Sequence, residues 1–153
     1  MQQLEFKLPP PVIALTSALL MWLTADATPS LVVALPWKRE IGLALVMVGL
    51  LFDASGFLAF RKARTTINPL KPGNTTTMVS SGIYRVSRNP MYLGLLLNLA
   101  GWAVYLAHPL ALLGLPVFVA AITRFQIAPE ERVLTEKFGA EYLAYKDSVR
   151  RWI

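Results

Sequence analysis

The chain has 153 residues, and its 15 lysines and arginines against nine aspartates and glutamates give a net charge of +6. Charged residues make up 16% of the sequence and hydrophobic residues 55%, whereas a soluble domain usually carries about 25% charge. The chain has no cysteine and one histidine, which excludes disulfides, thiolate nucleophiles, iron–sulfur clusters, and cysteine-zinc or histidine-cluster metal sites.

Three long stretches are poor in charge and predict membrane spans. Residues 8–25 and 89–123 have no charged side chain, and residues 41–60 have only Asp53. A span needs about 20 apolar residues, so the third stretch holds two spans with a turn at His108-Pro109. The predicted fold is all-α, a polytopic membrane protein with one domain, 1–153, and four transmembrane helices at about 11–27, 40–61, 90–107 and 109–127.

The first span has an alternative interpretation. Lys7, the apolar run that follows it and Ala25-Asp26-Ala27 are similar to a cleavable signal peptide. However, Glu5 reduces the positive charge of the leading segment, and three prolines, 9–11, precede the apolar run. We therefore favour an uncleaved first span.

The basic residues predict the orientation of the chain. With four spans, 13 lysines and arginines fall on one side of the membrane and two on the other. The positive-inside rule then places both termini, the loop 62–89 and the tail 128–153 in the cytoplasm. This asymmetry, with attraction to anionic headgroups, explains the basic charge without a nucleic-acid partner. The small size of the chain favours a bacterial inner membrane.

The tail after Ala128 has the pattern of an amphipathic helix. Apolar and aromatic residues recur at roughly helical spacing, with charged residues between them. These residues are Val133, Leu134, Phe138, Tyr142 and Tyr145. We predict a C-terminal amphipathic helix at the membrane surface, where it could also pack on the cytoplasmic loop.

A first group of chemically active residues lies at the start of the third span. Pro90 suits the first turn of a helix, whose free N–H groups and dipole favour an anion, and Arg88 adds positive charge. Gly82 permits a close backbone approach, and Tyr84 and Tyr92 offer aromatic faces with a polar end. These residues predict a small-anion pocket, although an ordinary span start anchored to headgroups has the same residue types.

Acidic residues supply further candidates. Glu130 and Glu131 follow the fourth span and could bind an ammonium group or ribose hydroxyls, or could stabilise a helix N-terminus. Asp53 lies inside the second span, and two roles are open for it: a part in the function, or a structural pairing with another side chain. His108 is on the opposite side of the membrane from both groups, and we interpret it as a turn residue.

In these motifs the chain resembles the isoprenylcysteine carboxyl methyltransferase and phospholipid methyltransferase superfamily over about residues 40–153. The resemblance rests on Gly82-Ile83-Tyr84, Arg88-Asn89-Pro90-Met91-Tyr92-Leu93-Gly94, Glu130-Glu131, Phe138-Gly139 and Glu141-Tyr142. It implies an integral membrane enzyme that uses S-adenosyl-L-methionine and methylates a lipid or lipid-like acceptor. The acceptor would be a phospholipid amine or a prenylcysteine-type carboxylate, and no metal is expected.

The resemblance also implies roles for individual residues. Arg88 and Glu130 are the expected catalytic residues, and Arg124 or Gln126 is expected to contact the substrate. The expected cofactor-binding residues are Thr76, Thr77, Met78, Val79, Gly82, Tyr84, Asn89, Pro90, Met91, Tyr92, Glu130 and Glu131. For an amine acceptor, which must lose a proton, Glu130, Glu131, Tyr84 and Asp53 are candidate proton acceptors.

Two positions depart from the family pattern. Asn89 stands where the family has histidine, and it cannot act as a base near neutral pH, although it can still form hydrogen bonds. Gln126 aligns with an arginine that contacts substrate in the isoprenylcysteine enzymes, and Arg124 lies two residues earlier. We still expect the chain to bind the cofactor, but we do not expect a mechanism that requires a base at Asn89.

Two other functions remain open from the sequence. A related NADPH-dependent, sterol-reductase-like enzyme is one, although the chain lacks a glycine-rich dinucleotide motif. A non-catalytic membrane module is the other. An endoplasmic-reticulum location is also open, since the family occurs there.

Overall fold

The computed structural model describes residues 7–63 and 77–153, and within these ranges all regular structure is helical. The main helices are α1 (Pro10–Ala27), α2 (Lys38–Lys62), α3 (Pro90–Leu106), α4 (Gly114–Ile122), α5 (Ala128–Phe138) and α6 (Ala140–Ser148). Short 3₁₀ turns lie at Pro29–Leu31, Gly82–Arg85 and Pro109–Leu113, and a π-turn at Thr123–Ile127.

Among the described residues, three helices are long and apolar enough to cross a membrane: Pro10–Ala27, Lys38–Lys62 and the 30-residue Pro109–Phe138. The fourth apolar helix, Pro90–Leu106, has 17 residues and a length of about 25 Å. The outward faces of the spans expose large apolar side chains, such as Leu15 and Leu51. The predicted all-α, polytopic membrane fold is confirmed, and the protein is an integral membrane protein.

Helices α2 and α3 pack as an antiparallel pair through glycines spaced seven residues apart. A Cβ added to Gly42 would lie 2.9 Å from the carbonyl oxygen of Gly101, and one added to Gly49 would lie 2.7 Å from that of Gly94. Residues seven apart share one helix face, so the two backbones touch along the pair. A side chain at any of these four positions would force the helices apart.

Asp53 has a structural partner inside this pair. The amide Nδ2 of Asn98 on α3 donates a hydrogen bond to Asp53 Oδ2 on α2, at 3.3 Å. Asp53 lies directly over Gly94, where a Cβ would collide with its carboxylate. This contact supports the structural-pairing interpretation of the residue.

Helix α1 packs on α3 and α4, and polar contacts hold its middle and its C-terminal end. Trp102 Nε1 donates to the carbonyl of Ala18 at 3.1 Å, and His108 Nε2 lies 3.0 Å from both the hydroxyl and the carbonyl oxygen of Thr28. His108 therefore lies at the turn between α3 and the fourth span, as predicted, and it also links that turn to the end of α1. Phe118 and Met21 fill the centre of this layer.

The fourth span continues beyond its predicted end at residue 127. The helix passes through the π-turn into α5 and ends at Phe138. Pro129 explains the π-turn, because proline has no N–H for the carbonyl of Phe125 and its ring needs extra room there. The turn brings the first residues of α5, Glu130 and Glu131, next to the start of α3.

The tail forms two helices rather than the single amphipathic helix that we predicted. Helix α5 ends before Gly139, whose positive φ of 52° breaks the helix, and α6 begins at the next residue. Buried aromatic residues of α6 face the segment before α3, where the hydroxyl of Tyr145 donates to the carbonyl of Tyr84 at 2.7 Å. The tail thus packs on the segment before α3, which is the second of the two arrangements that the sequence allowed.

Candidate active site

The segment that enters α3 forms one wall of the candidate site. Val79 and Tyr84 are buried, and the ring of Tyr84 meets that of Phe60 edge-on with centroids 5.5 Å apart. Gly82 begins the short 3₁₀ turn with a positive φ of 63°, a conformation that glycine adopts without strain. Burial and the nearby Glu130 raise the pKa of Tyr84 far above its ordinary value, so its phenol stays protonated.

Tyr92 and Glu130 join α3 to α5. The hydroxyl of Tyr92 donates to Glu130 Oε2 at 3.1 Å. The ring of Tyr92 is buried, whereas Glu130 is half-buried. Glu130 therefore retains acceptor capacity at the surface of the site.

Glu131 is enclosed by three cations. Its Oε1 lies 3.2 Å from Arg88 Nη2, and its two oxygens accept from Arg151 Nη2 at 2.8 Å and Nε at 3.1 Å. Lys146 Nζ lies further away, 3.9 Å from Oε2. The side chains of Arg88 and Glu131 are only 10% and 11% exposed, so this pair is shielded from solvent. The Arg151 guanidinium donates two hydrogen bonds to Glu131, and this contact raises the pKa of Arg151.

Arg88 ties the segment before α3 to the C-terminal tail through its hydrogen bonds. Its Nη1 donates to the carbonyl of Lys146 at 3.2 Å, and its backbone N–H donates to the carbonyl of Arg150 at 3.0 Å. Its Nε is buried and has no hydrogen-bond acceptor among the described residues. A buried charged donor without a partner is costly, so this atom favours an acceptor from a ligand.

Asn89 precedes α3 but does not cap it with its side chain. Its Nδ2 instead donates to the carbonyl of Arg151 at 2.9 Å, and its backbone N–H donates to Ser87 Oγ at 3.0 Å. The backbone carbonyl of Asn89 accepts from the N–H of Leu93 at 2.9 Å, but its side chain offers no acceptor to the first turn of α3. This leaves the N–H groups of Met91 and Tyr92 for another acceptor.

Two further tyrosines cover the site from α6. Burial raises the pKa of Tyr145 to about 12, although Arg88 opposes the shift. Burial and the charge of Glu131 raise the pKa of Tyr142 beyond the ordinary range. Together with Tyr84, these phenols act as hydrogen-bond donors at neutral pH, which argues against Tyr84 as the proton acceptor considered from the sequence.

The structure brings together most of the predicted cofactor-binding residues that it describes. Val79, Tyr84, Pro90, Tyr92, Glu130 and Glu131 are at the junction of the segment 77–89 with α3 and α5. In the same segment Met78 is half-buried, whereas Thr77 and Gly82 are exposed. The side chain of Met91 packs over Gly56 of α2. Thr76 lies outside the described residues.

The two predicted substrate residues do not lie together. Gln126 is completely buried, and its Nε2 donates to the carbonyl of Leu8 at 2.6 Å, while its Oε1 has no hydrogen-bond partner among the described residues. Arg124 is exposed, with its guanidinium carbon 5.8 Å from the centre of the Phe125 ring. Gln126 thus faces the start of α1 and Arg124 faces outward.

Sequence reasoning missed the residues that hold this site from the C-terminal tail. These residues are Arg151, Lys146 and Tyr145, which contact Glu131, Arg88, Ser87 and Tyr84. Their only signal was the excess of basic residues in the tail, which we had interpreted as topology. Within the described ranges, no group of three or more acidic or histidine side chains is arranged to hold a metal ion.

Comparison with known proteins identifies the family. The model of the phospholipid methyltransferase family matches residues 37–141, which include α2, α3 and the Glu130–Glu131 pair. The chain belongs to the phospholipid methyltransferase family. No solved structure matches it.

Individual relatives are similar over parts of the chain. A Haemophilus influenzae protein described as uncharacterized is 52% identical over 63 residues, which are 41% of this chain and all of that protein. Protein-S-isoprenylcysteine O-methyltransferase A of Arabidopsis thaliana is 28% identical over 113 residues, 74% of this chain and 57% of the relative. The Xenopus laevis protein-S-isoprenylcysteine O-methyltransferase is 33% identical over 116 residues, 74% of this chain and 39% of the relative. The chain thus spans about half the length of these two named methyltransferases, or less.

Proposed function

We propose that this protein transfers the methyl group of S-adenosyl-L-methionine to a lipid or lipid-like acceptor at the membrane interface. The observation that carries the proposal is the position of the half-buried Glu130 beside the start of α3, held there by Tyr92. The family match supports the reaction class, and the apolar spans support a lipid-like acceptor. The whole chain, 1–153, would form one methyltransferase domain.

The residues present fit this cofactor. Arg88 Nε is buried without an acceptor in the part of the chain that the structure describes, and no side chain there caps the first turn of α3, so both favour a carboxylate. Glu130 can accept hydrogen bonds from an ammonium group or from ribose hydroxyls. When bound, the cofactor would supply a methyl group already activated on a sulfonium.

The residues around it would bind and exclude water rather than perform acid–base chemistry. Arg88 and Glu130 would contact the cofactor, and Tyr84, Val79 and Tyr92 would wall the site. Positioning of two reactants can contribute about 7–11 kcal/mol to lowering a barrier. The proposed binding set is the one expected from the resemblance: Thr76, Thr77, Met78, Val79, Gly82, Tyr84, Asn89, Pro90, Met91, Tyr92, Glu130 and Glu131.

A carboxylate of the prenylcysteine type is the acceptor that this site favours over a phospholipid amine. Two relatives carry the name of isoprenylcysteine O-methyltransferases, and an ionised carboxylate needs no base before it attacks. The raised pKa of the Tyr84 phenol means that this group would not remove a proton from an amine near neutral pH. Arg124 and Gln126 stay the proposed substrate contacts, the latter through its buried Oε1, which has no partner in residues 7–63 and 77–153.

The orientation of the site follows from charge. Because 13 of the 15 lysines and arginines fall on one side of a four-span chain, we place both termini and the site in the cytoplasm. A bacterial inner membrane is the proposed location. The soluble cofactor would enter from the cytoplasm, and the lipid-like acceptor from the bilayer.

Calorimetric titration of S-adenosylhomocysteine into the detergent-purified full chain tests the proposal. We expect micromolar binding that Glu130→Ala abolishes. Glu136→Ala is the matched control, because Glu136 is an exposed glutamate of the same helix. Folded protein that does not bind S-adenosylhomocysteine but binds NADPH would replace the proposal with the reductase function, and binding of neither would leave the non-catalytic one.

A further inference from the structure

The last residues of the chain form a strap, residues 146–152, that crosses the entrance to α3. The carbonyl oxygen of Arg151 accepts hydrogen bonds from Asn89 Nδ2 at 2.9 Å and from Ser87 Oγ at 3.4 Å. The backbone N–H of Arg88 donates to the carbonyl of Arg150, the residue before Arg151. Trp152 then packs against the apolar core, so the strap is attached along its length.

Arg151 is held at both ends of the residue. Its carbonyl accepts hydrogen bonds from Asn89 and Ser87, and its guanidinium donates to both oxygens of Glu131. Glu131 also meets Arg88, so a single carboxylate joins the strap, the segment before α3 and the first turn of α5. Since Glu130 is the preceding residue, the same contacts limit the directions in which its carboxylate can point.

We propose that Arg151 and Asn89 are positioning residues for the ligand site, acting through the strap. This inference rests on the proposed function, because it assigns the strap to the site that binds the methyl donor. Asn89 provides the hydrogen-bond donor that fastens the strap, and Arg151 transmits the position of the strap to Glu131. Neither residue needs to touch the reacting atoms.

The chemistry of Asn89 gives the proposal a sharp test. Asp is isosteric with Asn but lacks the donor, and its carboxylate would face the carbonyl of Arg151. His can donate from a ring nitrogen at a similar distance from the backbone. The proposal therefore requires Asn89→Asp to release the strap and Asn89→His to retain it.

Arg151 has a matched control in the adjacent residue. The side chain of Arg150 is exposed, and only its backbone carbonyl contacts the segment before α3. Arg151→Ala and Arg150→Ala remove the same charge from adjacent positions. Only the first removes the contact with Glu131.

The experiment measures two quantities on the full chain in detergent: amide hydrogen exchange of residues 146–153 and the dissociation constant for S-adenosylhomocysteine. In Asn89→Asp and Arg151→Ala we expect faster exchange in the strap and a dissociation constant raised about fivefold or more, the lower end of typical coupling between two sites. Arg150→Ala should bind like the parent, and Asn89→His should keep the slow strap exchange of the parent. Because coupling is reciprocal, the ligand should also slow exchange of the strap in the parent protein.

The outcomes separate this inference from the proposed function. If the parent binds but strap release leaves the affinity unchanged, the inference is wrong and the proposed function stands. If the parent does not bind, both are overturned. Unchanged exchange in α2 and α3 shows that a variant is folded, and where Arg151→Ala is unstable the isosteric Asn89→Asp decides.

Discussion

Replacing Glu131 by Gln should destabilise the protein strongly, because it leaves the shielded Arg88 without its counter-charge. Removing one partner of a buried ion pair costs about 3–5 kcal/mol. Arg151 and Lys146 are 39% and 33% exposed, so water compensates them and each contact contributes about 0–1 kcal/mol. We expect a loss of about 3 kcal/mol in the free energy of unfolding, or a Tm lower by roughly 5–10 °C.

Unfolding of the detergent-solubilised protein, followed by circular dichroism, measures this loss. Glu136→Gln on the exposed face of the same helix is the control and should change little. The double variant Glu131→Gln with Arg88→Met should recover part of the lost free energy of unfolding, because it also removes the unpaired positive charge of Arg88. A Glu131→Gln variant within about 1 kcal/mol of the control would refute the claim that this carboxylate anchors the tail.

Two further predictions concern the helix pair and the tail. Gly49→Ala should destabilise the protein by about 1–3 kcal/mol, since its Cβ would meet the carbonyl of Gly94. A Gly49→Ala variant that unfolds like the parent or later would contradict the close packing. The Tyr145 phenol, with its pKa raised from 10.0 to about 12, should contribute stability that is complete below pH 10 and lost as the pH rises through 12. Unfolding measured against pH should show a smaller loss over this window in Tyr145→Phe, and identical profiles would disprove the contribution.

The spans could be predicted because hydropathy is a local property of the sequence. The charge-free stretches and His108-Pro109 located the helices and the third turn, and the structure differs from the prediction mainly after residue 127. There, the π-turn lets the helix pass Pro129, which a sequence pattern cannot distinguish from a helix start. Likewise, Gly139 divides the tail because of its positive φ, which local periodicity does not reveal.

The site could be predicted only where its residues form motifs along the chain. Asn89–Tyr92 and Glu130–Glu131 are contiguous, so they could be found, and the structure joins them through Tyr92 and Glu130. The contact of Arg151 with Glu131 depends on the fold of the whole tail. The sequence therefore suggested that both glutamates face a ligand, whereas in the structure Glu131 is enclosed by cations of the chain itself.

Transfer of a labelled methyl group tests the central claim most directly. The purified chain, S-adenosyl-L-methionine with a labelled methyl group, and either a farnesylated cysteine with a free carboxyl or phosphatidylethanolamine would be combined in detergent. We predict label in the farnesylated cysteine, released by base as expected for a methyl ester, and its loss in Glu130→Ala but not in Glu136→Ala. Label in the amine lipid alone would contradict the choice of acceptor, and no transfer to either acceptor or to a total lipid extract would contradict the proposed activity.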